Sequence, residues 1–117
     1  PLQHGVAAGF SAPDSYFESL RTDYQDARDM LCEALQRASM EPIVPQGAYY
    51  LLADVERMGE ANARDAAMTL LARTGVAAVS GHCFYRGDGG QQLLRFCFAK
   101  ERSALEEACR RLAAFRP

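Results

Sequence analysis

Lysine is almost missing from this chain of 117 residues. Of 13 basic residues one is lysine, Lys100, so any chemistry that needs a side-chain amine has a single candidate. Excess charge is missing too: a net charge of -2 and a pI near 5.7 leave no basic footprint for nucleic acid or an acidic membrane surface. No apolar run approaches the roughly 20 residues that cross a bilayer, and no charged-then-apolar leader opens the chain. A soluble, cytoplasmic protein is the expectation. Phosphate-binding G-x-x-x-x-G-K-[ST], dinucleotide G-x-G-x-x-G, metalloprotease H-E-x-x-H and hydrolase G-x-S-x-G patterns are all absent. The four cysteines, Cys32, Cys83, Cys97 and Cys109, have no C-x-x-C spacing and read as buried free thiols. His4 and His82 lie far apart without an obvious partner and read as isolated side chains, so no metal site is expected.

What is present belongs to one globular domain: 49% of residues are hydrophobic and 24% charged. "PLQHGVAAGF" is apolar with no helix-start signal, and residues 1–13 read as the remnant of a preceding segment of a longer chain. From Asp14 to Ser39, Phe17, Leu20, Tyr24, Ala27, Leu31, Leu35 and Ala38 recur at helical steps, with Ser15 and Glu18 spaced as a capping box. Residues 41–117 then form the core. Pro42–Val44 and Ala48–Asp54 read as an antiparallel pair around the turn-forming Pro45, Gln46 and Gly47, with "AYYLLA" a central strand covered on both faces. A helix follows over Asn62–Thr74, capped by Asn62, stopped by Gly75 and buried along Ala67, Leu70 and Leu71. "VAAVS" is a short strand, "GHCFY" an irregular stretch, Gln91–Ala99 a strand, and the last helix carries the stripe Leu105, Ala108, Cys109 and Leu112. The order predicts an α+β fold, a small, mainly antiparallel sheet with helices packed on it. The RGD tripeptide at Arg86–Asp88 carries no weight, and Arg110 and Arg111 suit the negative end of the last helix.

One residue resists the packing pattern. In "LLRFCFAK" the alternation of a strand puts Leu94, Phe96 and Phe98 on one face and Leu93, Arg95 and Cys97 on the other. Burying an unpaired guanidinium costs several kcal/mol, so Arg95 needs an anion, from the protein or from a ligand, and its planar fork suits a carboxylate. An acid on a packing helix, or solvent past the sheet edge, would satisfy it as well.

The succession "VPQGAYYLLADV", a helix, "TGVAAVSGHCFY", a short loop and "LLRFCFAKERSALEEACRRL" resembles the C-terminal part of pyridoxal-phosphate aminotransferases of fold type I, closest to the branch with kynurenine and methionine aminotransferases. "PLQ" and the long helix with "DYQDARDMLCEAL" fit the same family, so the likeness covers nearly the whole chain. The resemblance implies the small domain of a homodimeric enzyme that moves an amino group between an amino acid and a 2-oxo acid. It implies that Arg95 forms the salt bridge to the substrate α-carboxylate. The cofactor, pyridoxal 5'-phosphate, needs a lysine, and Lys100 lies in the wrong segment for that role. The chain alone is therefore expected to bind the cofactor weakly or not at all and to contain no catalytic residue. It departs from the family pattern after "GVA", where Ser80, Gly81, His82 and Cys83 replace a proline and small residues. Two other readings stand beside this one: a free-standing α+β ligand-binding or regulatory domain with Arg95 as anion receptor, and an interaction module in which Arg95 pairs internally.

Overall fold

Two strands with strictly alternating burial set the architecture. The computed structural model describes all 117 residues. Helices α1 (Leu2–Gly9) and α2 (Asp14–Arg37) precede strands β1 (Glu41–Ile43) and β2 (Tyr50–Asp54), a one-turn 3-10 helix (Glu56–Met58) and α3 (Ala63–Thr74). Then come β3 (Val79–Ser80), a second 3-10 turn (Gly81–Phe84), β4 (Leu93–Cys97) and α4 (Arg102–Ala114). The four strands form one antiparallel sheet in the order β1-β2-β4-β3, the α+β fold that the pattern predicts.

Leu51 and Ala53 of β2 and Leu94 and Phe96 of β4 point to the same side and are 3% exposed or less. On that side α2 and α4 pack, with Leu31, Leu35, Leu105, Cys109 and Leu112 in one core of 20 buried residues. The opposite face carries no helix. Tyr50 and Leu52 are half-buried, and Ile43 and Val79 are 52% and 40% exposed. The expectation that "AYYLLA" is covered on both faces is thus corrected: its second apolar side is open. Both outer strands are short, and β1 has Pro42 at its centre, opposite Ala53.

The long helix outruns the core. Buried residues of α2 all fall between Leu31 and Leu35, while Phe17 and Leu20, on the same stripe, are 43% and 41% exposed. The radius of gyration, 16.2 Å, exceeds the roughly 13 Å of a compact chain of this length for that reason. The first residues form α1, which has no buried residue, so part of the segment read as a remnant of a preceding one is helical despite the missing start signal. Ser15 and Glu18 lie within α2, whose N-cap is Pro13 without a side-chain hydrogen bond, and the capping box does not form.

Local chemistry marks most other boundaries. Asn62 Oδ1 accepts hydrogen bonds from the backbone N–H groups of Arg64 and Asp65 at 2.9 and 3.0 Å, and Gly75 ends α3 at φ 72°. The buried stripe of α3 is Ala63, Ala66 and Leu70, with Leu71 exposed, a rotation that brings two small side chains against the sheet. α2 closes with a Schellman motif: Met40 N–H donates to Leu35 O and Ser39 N–H to Gln36 O, both at 3.0 Å, with Ser39 left-handed at φ 60°.

Arg95 and the open face of the sheet

The register places Arg95 at the centre of the uncovered face. It pairs with Leu52 on one side and Val79 on the other, and Ile43 continues the row beyond Leu52. β4 is an inner strand, so the backbone under Arg95 is held by ladders on both sides. The side chain is half-buried. Its guanidinium carbon lies 4.5 Å from the ring centroid of Phe84 and 5.2 Å from that of Tyr50. None of the five ion pairs of the structure includes it. The internal acid considered from sequence is absent, and the contacts are π-faces instead, which attract the cation without using its N–H donors. The fork is left free to bind an anion.

The ring partners come from distant parts of the sequence. Tyr50 reaches Arg95 because β2 and β4 are neighbours, with Tyr50 opposite Cys97. Phe84 is delivered by the 3-10 turn, which is clamped at its base: a Cβ on Gly81 would lie 2.7 Å from the carbonyl oxygens of both Gly90 and Leu93. Only glycine allows that approach, and it holds the turn against the start of β4. No signal in the sequence, short of the register itself, identifies Tyr50 and Phe84.

Beside Arg95, a cleft of about 510 Å³ opens where β3 begins, lined mainly by apolar groups such as Val76, Phe96 and Leu105 and rimmed by Lys100 and Arg111. Lys100 is exposed just past β4, as a solvated side chain would be, with its backbone N–H on Phe98 O. It is the only lysine, and it stands in the open, so the residues present do not fit a pyridoxal-phosphate site.

The remaining candidates are divided between surface and core. Arg110 and Arg111 both grip Glu107, at 2.7 Å from its Oε1, and hold its carboxyl down at about 2. Cys32 and Cys109 are buried, and burial pushes both thiols up. Cys83 and Cys97 are exposed, contrary to the expectation of four buried thiols: Cys97 points to the open face and Cys83 sits on the 3-10 turn. His4 is exposed on α1, whereas His82 does have a partner, with Nδ1 2.7 Å from Ser80 Oγ. No cluster of residues has the makings of a metal site, and no helix is long and apolar enough to cross a membrane.

Residues 1–112 match the family model described as aminotransferase class I and II. A kynurenine–oxoglutarate transaminase of Dictyostelium discoideum is 28% identical over 92% of the chain, and a methionine aminotransferase of Escherichia coli (strain K12) 30% identical over 96%. The solved structure of N-succinyldiaminopimelate aminotransferase from Mycobacterium tuberculosis superposes with a TM-score of 0.83 at 30% identity over 95% of the chain. In each case the match spans about 30% of the relative's length.

Proposed function

Since the chain belongs to the class I and II aminotransferases, we propose that it forms their C-terminal small domain and that Arg95 grips the α-carboxylate of an amino acid or 2-oxo acid substrate. The observation that carries this is the free guanidinium of Arg95: half-buried on an inner strand, faced by two aromatic rings and left without a protein carboxylate. A bidentate pair from such a position would set both the location and the angle of the substrate Cα. The open sheet face, with Ile43 and Phe84 about half exposed, is the surface on which the rest of the enzyme would close.

Pyridoxal phosphate supplies an electron sink for carbon-acid chemistry when an enzyme of this kind binds it. We assign its lysine, its phosphate-binding groups and the acid at its ring nitrogen to sequence outside these 117 residues, because Lys100 is exposed and stands alone. The chain by itself would then not retain the cofactor, and the complete enzyme would act as a homodimer.

The test is Arg95→Ala in the full-length enzyme. Losing one half of a desolvated charge pair costs about 2–5 kcal/mol, so kcat/KM should fall at least roughly thirtyfold. A variant that keeps wild-type kcat/KM refutes the assignment.

A further inference from the structure

Around the Gly81–Phe84 turn, three side chains form a chain of contacts that the carboxylate grip does not use. Ser80 Oγ lies 2.7 Å from His82 Nδ1, and His82 Nε2 lies 3.8 Å from Cys83 Sγ. Ser80 is only 8% exposed, the one buried polar side chain of the protein, so packing fixes its hydroxyl and the hydroxyl fixes the imidazole. In this chain Cys83 itself is exposed. A nucleophile, a base within reach and a third group that orients the base are the parts of an activated thiol.

We propose that Cys83 is a histidine-activated thiol and a site of covalent modification by hydroperoxides. His82 Nε2 takes the thiol proton as a sulfur lone pair attacks one peroxide oxygen. The S–O bond forms as the O–O bond breaks, and the departing hydroxide takes the proton from the imidazolium and leaves as water. Sulfur gives up two electrons, the peroxide gains them, and the product is a sulfenic acid, which a thiol can return to cysteine through a disulfide. The inference stands whatever Arg95 binds.

Cys97 provides a control within the same molecule, because it too is exposed and no histidine nitrogen stands within hydrogen-bond reach of it. The 117-residue chain is treated with hydrogen peroxide, sulfenic acids are trapped with dimedone, and labelling at each cysteine is followed by peptide mass spectrometry. General-base assistance predicts that Cys83 labels at least about tenfold faster than Cys97. His82→Ala should bring Cys83 to the rate of Cys97, and Ser80→Ala, which frees the imidazole, should close part of the gap. Cys32 and Cys109, both buried, stay unlabelled as long as the fold persists and so report on each variant. Equal rates at Cys83 and Cys97 in the wild-type chain overturn the proposal, as does an unchanged Cys83 rate in folded His82→Ala. If a variant unfolds, the wild-type comparison decides alone, and the rate difference should vanish when the wild-type chain is denatured in urea.

Discussion

The guanidinium of Arg95 rests 4.5 Å above the ring of Phe84, a residue on a turn that glycine contacts pin to the sheet. The ring removes water from one surface of the cation and favours a narrow range of side-chain orientations, while every N–H stays free. A partly desolvated cation–π contact contributes about 0.5–2 kcal/mol. Phe84→Ala in the full-length enzyme should therefore raise KM for the carboxylate substrate severalfold and leave kcat much closer to wild type. Phe84→Trp should restore binding. A Phe84→Ala enzyme with unaltered KM would show that the ring does not position Arg95.

Ser39 ends α2 in the left-handed region at φ 60°, a conformation that costs a residue with a Cβ about 1 kcal/mol. The hydrogen bonds around it form the motif that elsewhere selects glycine. Ser39→Gly should raise the stability of the chain by about 0.5–1 kcal/mol, after allowance for the greater freedom of glycine in the unfolded state. A rise in the midpoint of urea unfolding, at unchanged slope, is the expected readout.

The carboxyl of Glu107 is held at about 2, against an ordinary 4.5, chiefly by hydrogen bonds from Arg110 and then Arg111. Its folded-state value is depressed, so its contribution to stability is present above pH 4.5 and is lost as pH falls towards 2. Glu107→Gln removes a charge that titrates in that window. The wild-type chain should be the more stable of the two at neutral pH, and the gap should close during acid titration, as followed by thermal unfolding at successive pH values. A gap that is constant down to pH 2 would contradict this.

What could be read from the sequence was what local chemistry decides. The buried face of β4 followed from Leu94, Phe96 and Phe98 at every second position, and the limits of α3 from the side chain of Asn62 and the backbone freedom of Gly75. Each of these needs only its near neighbours. The open face of β2 is not legible in the sequence because Tyr50 and Leu52 are as apolar as residues buried on both sides, and apolarity does not say whether the covering group lies in the same chain. Ser39 is inconspicuous in the sequence for the opposite reason: its backbone does what glycine usually does. Arg95 stood out as an expense in an apolar strand. That aromatic faces rather than a carboxylate would meet it depends on the pairing of β2 with β4 and on the path of the Gly81–Phe84 turn, neither of which is written near residue 95. Cys83 and His82 are adjacent in sequence, yet their link to Ser80 depends on how the 3-10 turn bends.

The two outer strands of the sheet have one more effect. An exposed strand edge offers unpaired N–H and C=O groups on which another chain can add. Here one edge is three residues long with Pro42 at its centre, and the other is two residues long. Neither offers a ladder on which ordered fibrils could start to grow, and this protects a protein whose sheet is otherwise bare on one side.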